Sequence, residues 1–152
     1  MKAKELMNSN IYYVHSDDSL LKCASIMKEN KIHFLPIVNN GKVIGTITDH
    51  DLCIYGITEE QNVHNPVENV MNRKIHTVDV SDSLGTILLV MQEEKTQHLL
   101  VHQDQKIVGI LSYRDLLHLN RSQDPYILTL KEIYKDTPMI VERNQEIDEF
   151  YL

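Results

Sequence analysis

The sequence predicts a mixed α/β fold of the α+β type, built from two copies of one β-α-β-β-α motif. The first observation is a repeat, since a shift of 64 positions, from Met7 to Met71, aligns two copies without a gap. The identical pairs include Met7/Met71, Asn8/Asn72, Ile11/Ile75, Val14/Val78, Asp18/Asp82, Ser19/Ser83, Leu20/Leu84, Met27/Met91, Leu35/Leu99, Gly45/Gly109, Asp51/Asp115 and Leu52/Leu116. Such a period suits a half-domain that buries its apolar face against its copy. The second observation is that 152 residues with 42% hydrophobic content fit one domain with a core.

The charge balance restricts the partners. The net charge is −7 and the sequence pI is near 5.5. An acidic surface repels a phosphate backbone, so we expect no nucleic-acid partner. The first residues, from Met1 to Glu5, are charged, and no apolar run follows them. We therefore expect neither a signal peptide nor a membrane span, and we expect the protein to be cytoplasmic.

Each copy is expected to begin with a strand that leads into an amphipathic helix. In the first copy, Asp18 and Ser19 offer capping groups ahead of the helix. Leu20, Ala24 and Met27 then recur at the spacing of one helical face. The second copy repeats the pattern with Asp82, Ser83, Leu84, Leu88 and Met91.

Two strands, a turn and a second helix complete each copy. The middle strands are short apolar runs, which indicate burial on both faces, and they span residues 34–38 and 99–101. The turns Asn39-Asn40-Gly41 and Gln103-Asp104-Gln105 supply residues that accept positive φ, although the second lacks glycine. The last strands cover residues 42–47 and 106–111, and a helix should begin at Thr48 and at Ser112.

These elements divide the chain into a first motif at residues 1–60, a second at 61–120 and a C-terminal extension at 121–152. The division falls in a polar linker that ends with Asn65-Pro66. In the extension, Ile133 and Val141 repeat the spacing of Leu6 and Val14. The extension is therefore either a truncated third opening or an ordinary amphipathic tail. We expect it to dock on one of the halves.

No metal site or catalytic centre is predicted. Cys23 and Cys53 lie in predicted helices without CxxC spacing, so two reduced thiols are expected. Among the 8 histidines, His98 and His102 are four residues apart, but on the predicted strand they would stand about 13 Å apart, too far to share one ion. Neither a nucleophile elbow nor a phosphate-binding GxxxxGK[ST] loop occurs. We therefore predict that the protein is not an enzyme and requires no metal.

Two segments resemble the signature of cystathionine β-synthase (CBS) domains. These are residues 45–52, GTITDHDL, and 109–116, GILSYRDL, in which Gly, apolar residues, a hydroxyl residue and Asp-Leu mark the last strand and helix. Residues 31–38 also resemble the segment that leads into the middle strand of such domains. The resemblance covers about residues 1–120 and recurs twice in register, so the chain is identified as a stand-alone tandem CBS pair, or Bateman module.

The resemblance implies that the two motifs pack through their sheets into a disc, with clefts that hold adenosine nucleotides. By the same resemblance, Asp51 and Asp115 would bind ribose hydroxyls, and Thr48 and Ser112 would contact phosphate. The chemistry is consistent, because a carboxylate accepts two hydrogen bonds from a cis-diol and a helix N-terminus attracts anions. The alternative is that Thr-x-x-Asp and Ser-x-x-Asp are helix capping boxes, and one residue can serve both roles.

A phosphate-binding site also needs a positively charged side chain. Arg114 lies inside the second signature, where it either clamps phosphate or is a solvated surface residue. The resemblance implies a phosphate-facing role for His33, although Phe34 stands where kinase-regulating γ-subunits carry arginine. His98 corresponds to Phe34 in the second copy, and it is either a ligand contact or a partly buried core histidine. His50 replaces a frequently basic residue, so the second-copy site should be the tighter one.

The resemblance places the adenine base near the first and middle strands of each copy. The corresponding groups are Tyr13 and Val14 with Pro36, and Thr77 and Val78 with Leu100, and Tyr12 or Tyr13 would stack on the base.

We therefore predict a non-enzymatic sensor that binds AMP, ADP, ATP or S-adenosylmethionine between its motifs. It should form a homodimer and signal to an unidentified effector protein. The alternative is a dimerisation scaffold with degenerate sites, which is favoured by His50, Phe34 and the missing turn glycine at Gln105.

Overall fold

A computed structural model describes residues 1–58 and 62–117 of the chain, so the predicted docking of the extension lies outside the described residues. Each half shows the predicted β-α-β-β-α order after a short helical opening. The first half contains α1 (Ala3–Leu6), β1 (Val14–His15), α2 (Leu20–Asn30), β2 (Phe34–Asn39), β3 (Lys42–Thr48) and α3 (Asp49–Thr58). The second half contains a 3₁₀ turn (Val67–Asn69), β4 (Thr77–Asp79), α4 (Leu84–Glu94), β5 (His98–Gln103), β6 (Lys106–Ser112) and α5 (Tyr113–Leu117).

The helices α2 and α4 begin at the predicted caps. The Ser19 hydroxyl accepts a hydrogen bond from the Lys22 N–H at 3.1 Å, and the Ser83 hydroxyl likewise accepts from Thr86. The buried face differs from the predicted one, because Cys23 is buried on α2 while Ala24 is exposed. On α4 the matching buried residue is Ile87, and Leu88 is half-buried. Both spacings fit a helix, so periodicity alone did not separate them.

The six strands form two equivalent three-stranded sheets, β1-β2-β3 and β4-β5-β6. In each sheet the first strand is parallel to the middle strand, and the last strand is antiparallel to it. The predicted turns close both hairpins with two successive residues at positive φ. Asn40 and Gly41 have φ of 50° and 74°, and Asp104 and Gln105 have φ of 50° and 68°.

The two sheets face each other through their middle strands. Leu35 and Ile37 of β2 pack in the core formed with the first-half helices. Since successive strand residues point to opposite faces, Phe34 and Pro36 lie on the other face. There the Phe34 ring stacks on His98 of β5, which is its counterpart in the repeat. The pseudo-twofold axis of the molecule therefore passes close to this ring pair.

The N-terminal opening of the chain packs on the second half. The Ala3 N–H donates a hydrogen bond to the Asp82 carbonyl oxygen at 2.8 Å. Asn8 and Ile110 exchange two backbone hydrogen bonds, of 2.9 and 3.0 Å. Ala3 is fully buried, and it belongs to the hydrophobic core of the second half.

The corresponding opening of the second copy, residues 62–72, packs on the first half in return. The Val67 N–H donates to the Asp18 carbonyl oxygen at 2.7 Å, and Asn72 exchanges two backbone hydrogen bonds with Thr46. Val67 is fully buried in the first-half core. The two openings are therefore exchanged between the halves, which the sequence did not predict.

The exchange of the openings explains why each predicted signature begins with a glycine. A Cβ on Gly45 would lie 2.9 Å from the carbonyl oxygen of Asn72, which is closer than real Cβ contacts come. Gly109 stands in the matching position against Met7 of the other opening. Glycine here allows the exchanged segment to lie directly against the last strand.

Among the residues that the structure describes, no helix combines the length and apolar character needed to cross a bilayer.

Candidate functional site

A cleft of about 380 Å³ lies between the halves, next to the second signature. Both halves contribute to its walls. Its lining residues are Asn8, Asn10, Tyr12, Asn30, Lys31, Ile32, His33, Phe34, His98, Ile110, Ser112, Arg114 and Asp115. We call it the Asp115 cleft. Its volume falls within the usual range for small-molecule sites. The structure thus brings together five of the predicted site residues, His33, His98, Ser112, Arg114 and Asp115.

The second signature places three functional groups at the junction of β6 and α5. The Ser112 hydroxyl accepts a hydrogen bond from the Arg114 N–H at 3.2 Å. The side chains of Arg114 and Asp115 are exposed to the cleft. Within the described residues, the Asp115 carboxylate makes no hydrogen bond or ion pair. Both of its oxygens are therefore available to accept hydrogen bonds from a ligand.

The first signature has a different local structure. The Thr48 N–H donates to Asp51 Oδ2 at 3.0 Å, and the Asp51 N–H donates to Thr48 Oγ1 at 3.1 Å. This reciprocal pair is a capping box at the start of α3. The capping alternative is thus present in the first signature, and one Asp51 oxygen is occupied by it. Neither Thr48 nor Asp51 lines the Asp115 cleft.

His33 lies at the rim of the Asp115 cleft, where its ring contacts a carboxylate. Its Nδ1 lies 2.8 Å from Asp49 Oδ2, and about half of each side chain is exposed. When the ring is protonated at Nδ1, Asp49 accepts that proton as a hydrogen bond and orients the imidazole. The other ring nitrogen, Nε2, is then left for a different partner.

His98 contributes a neutral ring to the cleft. The ring centroids of Phe34 and His98 are 4.7 Å apart and nearly parallel, with an interplanar angle of 6°. Burial is the main reason that the pKa of His98 falls from 6.5 to about 4, with Asp49 acting to raise it and Arg114 acting to lower it. His98 is therefore uncharged at neutral pH. It can contribute contact area or a hydrogen bond, but no positive charge.

The predicted base-binding residues lie on the first and middle strands. Thr77 is the register partner of Leu100, and Tyr13 comes directly before the Val14–Ile37 pair, next to Pro36. Pro36 is buried between the sheets, whereas the Tyr13 side chain is 52% exposed and makes an edge contact with His15. None of these residues lines the Asp115 cleft, and their predicted contact with a base remains a prediction. Tyr12 lines the cleft in place of Tyr13.

Sequence reasoning missed the cleft residues that reach the site through the exchanged opening and the end of α2. Asn8 and Asn10 arrive with the N-terminal opening, and Asn30 and Lys31 lie where α2 ends. Lys31 adopts a left-handed conformation with φ of 53°, which ends the helix. The missing signal was the exchange itself, because it joins the first opening to the second signature.

A second, shallower groove lies between α2 and α3. It is mostly apolar, and it shares Lys31, Ile32 and His33 with the Asp115 cleft. Its other lining residues are Ala24, Met27, Lys28, Asp49 and Leu52. In the described part of the chain, no three His, Cys, Asp or Glu side chains are grouped closely enough to hold a metal ion. Cys23 is buried and Cys53 is exposed, and both are free thiols.

Comparisons with known proteins agree with this architecture. The family model described as CBS domain matches residues 3–56 and 67–121. The chain is similar to Hypoxic response protein 1 of Mycobacterium tuberculosis, with 28% identity over 116 residues, 75% of this chain and 81% of that protein.

Two solved structures have similar folds. A conserved protein from Pyrococcus horikoshii is 30% identical with a TM-score of 0.72, covering 80% of this chain and 93% of that one. The CBS domain pair of protein MJ0100, solved with 5-methylthioadenosine and S-adenosyl-L-methionine, is 24% identical with a TM-score of 0.69. That match covers 76% of this chain and 92% of the other, and it shows likeness of fold.

Proposed function

Because this chain belongs to the CBS domain family, we propose that it is a non-catalytic regulatory module that binds an adenosine nucleotide. The ligand occupies the Asp115 cleft. Its binding is reported to a partner protein in the cytoplasm.

The free carboxylate of Asp115 is the observation that carries this proposal. It is exposed in a cleft of about 380 Å³, and it makes no hydrogen bond within the described residues. A carboxylate with both oxygens free accepts two hydrogen bonds from a ribose cis-diol. The Ser112 hydroxyl lies three residues earlier, at the start of α5, next to backbone N–H groups that attract an anion.

The charges of the cleft favour a phosphorylated ligand. Two cationic side chains, Lys31 and Arg114, line the cleft. Among the described residues, Asp115 is the one carboxylate that lines it. A guanidinium binds phosphate in a bidentate geometry, and an ammonium adds a point charge. Protein MJ0100 was solved with two adenosine compounds that carry no phosphate. The adenosine part of those two compounds supports the proposal that the cleft binds an adenine base and a ribose. Lys31 and Arg114 favour AMP, ADP or ATP as the ligand of this chain.

Signalling follows from the position of the cleft between the halves. Lys31 and His33 come from the first half, while Ser112 and Asp115 come from the second signature. A ligand that contacts both sides shifts their relative arrangement as far as its affinity differs between the two arrangements. We propose that a homodimer transmits this shift to the effector protein.

Thermal-shift and calorimetric titrations test the proposal with AMP, ADP, ATP, adenosine, S-adenosylmethionine and NADH. A ligand at 100 times its dissociation constant adds about 2.7 kcal/mol to the free energy of unfolding. Asp115→Ala should abolish nucleotide binding, and Arg114→Ala should weaken AMP more than adenosine. Arg73→Ala is the matched control, because Arg73 is an exposed arginine outside the cleft.

Two outcomes would contradict the proposal. Equal losses for AMP and adenosine in Arg114→Ala would remove its phosphate role. Absence of stabilisation by every adenosine compound, with a dimer seen by light scattering, would favour the dimerisation scaffold instead.

A further inference from the structure

We propose that the second cleft of the molecule, around Asp51, is closed to nucleotides by the chain's own Glu94, so that each chain binds one nucleotide. This inference rests on the proposed function for the choice of ligand and concerns a different set of side chains.

The repeat defines the second cleft residue by residue. Each residue of the Asp115 cleft has a counterpart 64 positions away, on the opposite side of the Phe34–His98 stack. The pairs that differ in charge or polarity are Asn10/Lys74, Tyr12/His76, Asn30/Glu94, Ile32/Thr96, His33/Gln97, Phe34/His98, Ile110/Thr46 and Arg114/His50. Lys31 and Asp115 keep their chemistry, because their counterparts are Lys95 and Asp51.

At the Asp51 cleft, Glu94 bridges two elements whose counterparts both line the Asp115 cleft. Its Oε2 lies 3.3 Å from Lys74 Nζ and 3.4 Å from His76 Nδ1. Glu94 is the last residue of α4, and the other two precede β4. The His76 side chain is only 13% exposed, so the bridge reaches into the cleft wall.

The equivalent walls of the Asp115 cleft are not bridged. The Asn30 Nδ2 donates to the Ile26 carbonyl oxygen of its own helix at 2.9 Å. The Asn10 Nδ2 donates to the Tyr12 hydroxyl oxygen at 3.3 Å, within the opening. In the part of the chain that the structure describes, no side-chain hydrogen bond or ion pair joins Asn30 to Asn10 or Tyr12. This cleft therefore stays open.

The charges around the two clefts also favour nucleotide binding at the Asp115 cleft over the Asp51 cleft. Glu94 neutralises Lys74 and places a carboxylate in the wall, where it repels phosphate. His50 replaces the permanent charge of Arg114. One Asp51 oxygen already accepts the Thr48 N–H, although the other remains free for a ligand. Since Lys74 is 74% exposed, its ion pair contributes little to stability, and one substitution should open the cleft without unfolding the protein.

The test is the number of AMP molecules bound per chain, measured by isothermal titration calorimetry. The unmodified protein should bind one AMP. Glu94→Gln, which keeps the side-chain length and removes the charge, should bind two. Glu93→Gln is the matched control, because this neighbouring residue of α4 is exposed and makes the same change in net charge. It should still bind one.

A further variant assigns the new site. Asp51→Asn in the Glu94→Gln background should return the stoichiometry to one, and the asparagine oxygen can still accept the Thr48 N–H. The ligand-free melting temperature checks that each variant is folded. Two AMP per unmodified chain, no gain in Glu94→Gln, an equal gain in Glu93→Gln, or a gain that survives Asp51→Asn would overturn the inference. If the unmodified chain binds none and Glu94→Gln binds one, closure of the Asp51 cleft by Glu94 stands and the proposed Asp115 site fails.

Discussion

Acidification should destabilise the protein through His98. The ring is mostly buried against Phe34, and burial lowers its pKa from 6.5 to about 4. Between these two values the unfolded chain binds a proton that the folded protein does not bind. The free energy of unfolding therefore falls as the pH falls through this range, by about 1.4 kcal/mol per pH unit. From pH 7 to pH 4, the total loss due to His98 is roughly 3 kcal/mol.

Urea denaturation across this pH range measures the effect in the unmodified protein and in His98→Phe. Phenylalanine keeps an aromatic ring against Phe34 and cannot be protonated. The carboxylates contribute equally to both proteins, so they cancel in the difference. We expect the unmodified protein to lose roughly 3 kcal/mol more than the variant between pH 7 and pH 4.

The control is His64→Asn, which removes an exposed histidine far from the stack in sequence. It measures what the loss of an exposed histidine does to the same set of denaturation curves. If His98→Phe and the unmodified protein show the same pH dependence, then His98 is protonated equally in the folded and unfolded states. The conclusion that His98 is buried and uncharged against Phe34 would then be wrong.

Two further predictions concern the turns and the helix caps. Gln105→Gly should raise the free energy of unfolding by about 0.5–1 kcal/mol in urea titrations, because Gln105 has a φ of 68° that glycine adopts without strain. Gly41→Gln, at the same turn position of the first half, should lower it; a loss of stability in Gln105→Gly or a gain in Gly41→Gln would contradict the strain argument. Asp51→Ala should cost about 1 kcal/mol through loss of the capping box, whereas Asp115→Ala should change stability by less than about 0.5 kcal/mol. Equal losses in the two alanine variants would show that both signatures are capped alike.

The repeat and local chemistry were sufficient to predict the order of elements. Ser19 and the Asn40-Gly41 turn act locally, so their roles follow from neighbouring residues. The choice between Cys23 and Ala24 as the buried residue was not predictable, because both fit the helical period and the neighbouring opening decides it.

The site was predicted only where it coincides with the signature. Ser112, Arg114 and Asp115 are contiguous in sequence, and the resemblance identified them together. Asn8 was missed because it meets the second signature only after the openings are exchanged, and Asn30 because it reaches the cleft from the end of α2 in the other half. A sequence pattern predicts that a segment has an apolar face, but it does not predict whether that face packs on the core of its own half or of the other half.

The exchanged openings also affect the order in which the chain can fold during synthesis. The first half lacks Val67 and Met71 of its core until the ribosome has moved well into the second copy. Ala3, although it precedes the rest of the second-half core in the chain, has no partner until residues 80–110 exist. The N-terminal opening and the second copy must therefore close a loop that spans most of the described residues, which is an entropically slow step. The two halves should complete their cores in one concerted event once both copies have left the ribosome.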